Sequence, residues 1–445
     1  MALDRRDFLR TAAAGAGLAV TGRGVGASEV PDAKEPDTKE GIGAPFVRSG
    51  QVPDVVVVGA GNFGAWTALN LQRGGMNVVL LDQYGPGNSK SASGGETRGV
   101  RSSYGGRETG LQWAEWAIRS MQKWKEWDQQ HTDSLLPRLF YETGDLIMRD
   151  ELDFSMENSM ENWDTLGHEY ELLTPDEVRY RWPQIHTPGM EYAMYEPSAG
   201  VVRARRAIES VARVFQQEGG EIRIAKAAHG DTEGRTLRNV HLDNGDRLEA
   251  GLFLYATGAW FHHFLPELLG NRYSANAIGH VYYFATPPGD HAYEWPNCPS
   301  YGVPGCTGWP ALPGDNRGFR IRTGGDRGND PDTSQRWVPE DRHARPREIL
   351  ADFFPALAQG IINETRACHY CSTVSRNFLI DTHPDLDNVW LAGGGQAESF
   401  KQGPVLGEYI AGRIFGTETD QELNESFRLL EDTFDEGEGD LDFEE

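Results

Sequence analysis

The most constraining stretch of this chain is Val55, Val56, Val57 and Val58, which run without a break into Gly59-Ala60-Gly61-Asn62-Phe63-Gly64. Consecutive β-branched residues predict a strand buried on both faces, as in a parallel sheet covered by helices. A helical pattern follows (Ala65, Leu69, Leu71), then a second apolar run over 77–81 that ends at Asp82. Strand, G-x-G-x-x-G turn, helix, strand and terminal acid in that order make a dinucleotide-binding unit. Gly59 permits the tight turn, Gly61 lets backbone N–H groups approach a pyrophosphate, and Gly64 lets the helix lie close on the strand. The helix N-terminus turns its positive end to the phosphates, and Asp82 is placed to accept from ribose hydroxyls. The motif alone serves NAD and FAD alike. A further strand over 249–255 ends in Ala256-Thr257-Gly258, a turn that packs against the cofactor in flavoproteins with two dinucleotide folds. Together with Gly394 and Gly395 it favours FAD.

The rest of the composition narrows the partners. With 67 Asp and Glu against 42 Lys and Arg, the net charge is −25, a field that repels phosphate backbones and argues against a nucleic-acid partner. No apolar run approaches the ~20 residues of a membrane span. Arg5 and Arg6 followed by Phe8 and Leu9, a weakly apolar stretch over 11–21 and a small-residue end at Ala27 read as a twin-arginine export signal over 1–27. The expected location is periplasmic or extracellular. That route carries folded proteins, commonly with a cofactor inside. Residues 28–51 read as a flexible spacer and 432–445 as an acidic tail. The four cysteines are too few for a disulfide scaffold. Cys298 and Cys306 could pair, and Cys368-x-x-Cys371 lacks the second Cys or His pair of a zinc site, so no metal is expected.

Three blocks, in order, are similar to the monomeric sarcosine oxidase group of FAD-dependent amine oxidases, within the D-amino acid oxidase-like superfamily. They are the stretch 93–104 with Arg98, Arg101 and Tyr104, the stretch 196–218, and the stretch 368–401 with Cys368, Tyr370, Gly394, Gly395 and Lys401. The resemblance covers about 52–418. It implies that Cys368 stands where the group bonds its flavin covalently, that Tyr370 lies over the substrate, that Arg98 sits near the flavin ring, and that Arg101 and Lys401 clamp a substrate carboxylate. Arg and Lys suit that role as a bidentate fork and a point charge. Taken without the resemblance, the arginines could be solvated loop residues, and Cys368 could be a buried thiol or a partner of Cys371. The group's oxygen-activating lysine aligns with Arg320 and a nearby histidine with Gly324. Arg differs from Lys in pKa, shape and delocalisation, which opens the way to an electron acceptor other than oxygen.

The expected fold is α/β, with a Rossmann-type FAD-binding domain from 52–133, 196–275 and 366–418. A substrate domain built on an antiparallel sheet would come from 134–195 and 276–365. Residues 280–285 and 318–323 read as its strands, and 287–317, with Tyr293, Trp295, Tyr301 and Trp309, as an aromatic loop that either covers the site or packs as a satellite cluster. The expected reaction is oxidation of the C–N bond of a secondary amine or N-substituted amino acid, with oxygen or another electron acceptor. The alternatives are an amino acid dehydrogenase and a catalytically decayed flavin-binding protein.

Overall fold

The valine strand lies at the heart of a six-stranded sheet. Its order is Leu379–Thr382, Val389–Gly393, Leu252–Tyr255, Val55–Val58, Val78–Asp82 and Glu221–Ile224, parallel except for the antiparallel first pair. Val55 and Val57 enter one core and Val56 and Val58 the core on the opposite face, which is why no polar residue interrupts the run. The computed structural model describes residues 52–434 except 133–135, 276–277, 315–316 and 328–329. The export signal expected at 1–27, the spacer at 28–51 and all but 432–434 of the acidic tail lie outside the described residues.

Helix Asn62–Arg73 packs under this sheet, and helix Gly403–Phe415 lies against it through small residues. A Cβ on Gly407 would stand 2.5 Å from the Cβ of Trp66, so glycine sets the approach of the two helices. Helix Gly110–His131 sends Trp113, Trp116, Trp124 and Trp127 into the same core at helical spacing. Trp124 stacks on Phe400 and donates its Nε1 hydrogen to the carbonyl of Lys401 at 2.8 Å, fixing the segment that carries this lysine.

The second large sheet has eight strands. Its order is Ile362–His369, Ile278–Phe284, Phe319–Thr323, Cys306–Trp309, Ser300–Val303, Asp145–Arg149, Tyr192–Glu196 and Glu171–Leu173. All neighbours are antiparallel except Ser300–Val303 on Asp145–Arg149. The aromatic stretch 287–317 is therefore not a loop throughout: a hairpin within it fills the middle of this sheet. Sheet alternation splits its aromatic residues. Tyr301 stacks on Phe319 with centroids 5.2 Å apart, in the core, while Trp309 projects from the other face. The boundaries expected at 196 and 366 both fall within strands, Tyr192–Glu196 and Ile362–His369. A small third sheet joins Arg98–Val100 and Phe140–Glu142 to Gly200–Val202, and so positions Arg98. Among the described residues no helix is long and apolar enough to cross a membrane.

Candidate active site

The glycines of the first turn are dictated by contact. Gly59 has φ +108°, and a Cβ there would lie 2.2 Å from the carbonyl oxygen of Ala256. On Gly64 it would lie 1.9 Å from the carbonyl oxygen of Gly59. Gly61 caps helix Asn62–Arg73 with extended backbone and no capping side chain, and the N–H of Asn62 donates to Ser93 Oγ at 3.0 Å. Asp82 does more than the sequence suggests. It accepts from the N–H groups of Ala60, Tyr84 and Gly85 at 2.9, 2.8 and 2.9 Å, which fastens the glycine turn to the following loop. Burial raises its pKa, and these three donors offset only part of that rise.

Opposite this turn, Gly258 (φ +56°) and Gly394 (φ +65°) are joined through Tyr273, whose hydroxyl donates to the Gly258 carbonyl at 2.9 Å and accepts from the Gly394 N–H at 3.3 Å. Gly59, Gly61, Asp82, Arg98, Thr257, Gly258, Tyr370, Gly394 and Gly395 line one cavity of about 320 Å³. Nine of the candidate site residues thus meet there, while Arg101, Arg320, Cys368 and Lys401 do not line it. Gly64 lies behind the turn. The arrangement fits FAD: a cradle that any side chain would fill, a helix N-terminus beside it, and the buried Thr257 Oγ1 with no hydrogen-bond partner within the protein.

Beside the cavity the side chains gather positive charge. Arg98 donates to the carbonyls of Thr97 and Ala92, both at 2.7 Å, and its Nη2 lies 3.9 Å from Cys368 Sγ. Burial alone would raise the Cys368 thiol, but Arg98, Arg366 and Arg320 outweigh it and bring the pKa below its ordinary value. Cys371, three residues on, is pushed up to about 11 by burial. None of Cys298, Cys306, Cys368 and Cys371 is in a disulfide, so neither pairing considered from the sequence forms. The last two face different surroundings: Cys368 sits against Arg98 without lining the cavity, whereas Cys371 lines it and packs in the core that holds Tyr273.

Arg320 is 3% exposed, its guanidinium lies 3.6 Å from the centroid of Trp309, and its Nε and Nη1 have no hydrogen-bond partner within the protein. Burial, with Arg98 and Arg322 close by, lowers its pKa to about 10, so it remains a cation at neutral pH. Tyr370 accepts from Arg322 Nε at 2.8 Å. Its hydroxyl rests where a Cβ on Gly279 would stand, 2.0 Å away.

Arg101 and Lys401 belong to a separate group beside the cavity wall. The Lys401 ammonium is ion-paired with Glu398, a residue the sequence reading passed over. Tyr104 donates its hydroxyl to the same carboxylate at 3.0 Å, and the ammonium stands 5.0 Å over the Tyr104 ring. Burial would raise Glu398, yet Lys401, Arg101 and Arg107 together hold it down at about 2. Burial and Arg101 lower Lys401 while Glu398 raises it, because one carboxylate is shared among several cations. The signal was present in sequence as an acid three residues before the lysine, the spacing of neighbours on a helical turn.

The comparisons with known proteins agree with this geometry. The family model of FAD dependent oxidoreductases (DAO) matches residues 54–413. A monomeric sarcosine oxidase of Bacillus sp. (strain B-0618) is 26% identical, over 83% of this chain and 94% of that one. An N-methyl-L-tryptophan oxidase of Citrobacter koseri is 23% identical, over 80% and 93%. Among solved structures, L-proline dehydrogenase from P. horikoshii superposes with a TM-score of 0.71 at 19% identity, over 85% of this chain and 96% of that one, a likeness of fold. With the cradle, the cavity and a family match that runs from the valine strand to the last core helix, the chain belongs to the DAO family of FAD-dependent oxidoreductases.

Proposed function

We propose that this enzyme oxidises the carbon–nitrogen bond of a secondary amine or an N-substituted amino acid. The observation that carries the reading is the positive charge around the cavity: Arg98 in its wall, and beside it the buried Arg320 with two nitrogens lacking a protein partner. Fixed cations in a water-poor site favour a group that gains electrons. The relatives named for sarcosine and N-methyl-L-tryptophan oxidation suggest the substrate class. FAD, when bound, supplies the two-electron acceptor, and the substrate imine hydrolyses in water.

The glycine turns at 59–61, 257–258 and 394–395 would hold the cofactor, Arg98 and Arg320 would balance its negative charge, and Tyr370, held by Arg322, would wall the substrate. Cys368, whose thiol is lowered by its arginine neighbours, is the residue for a covalent link to the flavin. The two-part organisation belongs to the same reading. Residues 52–133, 196–275 and 366–418 serve the cofactor, and 134–195 with 276–365 serve the substrate. Anaerobic bleaching of the flavin by a panel of secondary amines and N-methyl amino acids tests the reaction. A flavin that none of them bleaches overturns it in favour of a flavin-loaded binding protein. After acid precipitation, colour should stay with the wild-type pellet and with Cys371→Ser, and leave with Cys368→Ser.

Arg320 favours a second reading of the oxidative half of the cycle, in which an acceptor other than oxygen removes the electrons, as in an amino acid dehydrogenase. Dye reduction without peroxide supports it; one peroxide per amine oxidised overturns it. The paired Arg5 and Arg6 support export through the twin-arginine route to the periplasm or medium. Replacing both with Lys should then leave the enzyme inside the cell.

A further inference from the structure

We infer that Glu398 occupies the carboxylate clamp formed by Lys401, Tyr104 and Arg101, and so makes this site select amines that bear no carboxylate beside the reacting nitrogen. The inference rests on the function proposed above and narrows its substrate class.

Lys401 and Arg101 are the cations expected to hold a substrate carboxylate, but the carboxylate in their field is the chain's own. Glu398 is bonded by the Lys401 ammonium and accepts from Tyr104 at 3.0 Å, and its side chain remains 15% exposed, against 6% for Lys401. Its neighbours Ala397 and Ser399 line the cavity, so the acid sits in the segment that forms the wall.

That segment is held on both sides. Gln396 and Ala397 take φ +50° and +58°, a conformation that non-glycine residues adopt only when their surroundings enforce it. The Gln396 side chain donates to Thr373 Oγ1 at 3.0 Å and to the Asn377 carbonyl at 3.1 Å. On the far side Trp124 fixes the Lys401 carbonyl. Moving the backbone at Glu398 would break these ties, and turning its side chain away would leave a buried ammonium without its carboxylate. A second carboxylate entering the clamp would meet a fixed like charge where water cannot screen it, and that repulsion is a specificity device. An amine without the carboxylate meets no such opposition.

The test uses the holoenzyme and two compounds that differ only in the carboxylate, N-methylphenethylamine and N-methylphenylalanine. In the wild type the amine should bleach the flavin anaerobically about tenfold faster or more. Glu398→Gln keeps the shape and the acceptor oxygen while removing the charge. It should move the ratio toward the amino acid by on the order of 10- to 100-fold. It should also tighten 3-phenylpropionate, followed by perturbation of the flavin spectrum, by roughly tenfold. A wild type that oxidises the amino acid faster overturns the inference without any variant, and so does a Gln variant that binds phenylpropionate no more tightly. If neither compound bleaches the flavin while phenylpropionate still tightens in Glu398→Gln, the proposed reaction falls and the assignment of Glu398 stands.

Discussion

The glycine cradle at Gly59 and the cation cluster at Arg98 share one cavity and are made of opposite materials. The cradle is backbone: a carbonyl, a helix end and glycines whose missing side chains leave room. The cluster is side chain: guanidinium groups from Arg98, Arg320 and Arg366 that converge from three strands around one thiol. A site of the first kind tolerates no added atom. One of the second kind tolerates changes of size and depends on every charge being answered.

Breaking the cradle should have the largest effect. In Gly64→Ala a Cβ would meet the Gly59 carbonyl at 1.9 Å, backbone against backbone, with nothing flexible to yield. Most of the flavin should be lost and stability should fall by about 3 kcal/mol or more. Flavin content per chain and urea unfolding check this, and full flavin content would show that the cradle is not rigid. On the charged side, Lys401→Met leaves Glu398 buried without its partner and should cost about 3 kcal/mol. The double variant Lys401→Met/Glu398→Leu should recover more than half of that loss. A double variant as unstable as the single would mean that packing, not charge, holds this segment.

Acid should separate the two regions again. Glu398 falls from an ordinary 4.5 to about 2 in the folded chain. A depressed carboxylate adds stability above its unfolded value, and this is lost as pH falls from about 4.5 toward 2, by about 3 kcal/mol in full. Urea midpoints measured over that window should fall less steeply in Glu398→Gln. The smallest effect is expected for Trp309→Phe, which keeps a ring under Arg320 but removes the 2.9 Å hydrogen bond from Nε1 to Thr97 Oγ1. That should cost about 1 kcal/mol and leave flavin content unchanged.

The same contrast explains what could be read from sequence. The cradle was legible because its parts lie side by side: Val55 to Gly64 form one local pattern, and Asp82 closes the next strand. Strands Ile278–Phe284 and Phe319–Thr323 were also legible, since each carries its own β-rich run, and they do pair. The hairpin across 300–309 was not, because its glycines, proline neighbours and small residues carry loop propensity until neighbouring strands supply hydrogen bonds on both sides. Asp82 was found with an incomplete role, since its backbone donors at Tyr84 and Gly85 depend on how the loop folds back. Glu398 was not legible, because the acid matters only once the fold sets it against Lys401 in the field of Arg101.

Strand Ile362–His369 pairs along its length with Ile278–Phe284 in the eight-stranded sheet. The carbonyl of Cys371, just past its end, accepts from the Gln396 N–H at 2.8 Å, and the chain then enters Leu379–Thr382 of the six-stranded sheet. One short stretch therefore ties both sheets and the cavity wall into a single mechanical element. Thermal melting should proceed as one transition, with the flavin losing its protein environment in the same step that opens the eight-stranded sheet. A cofactor gripped at the glycines would then slow amide exchange even in Glu171–Leu173, at the far edge of that sheet.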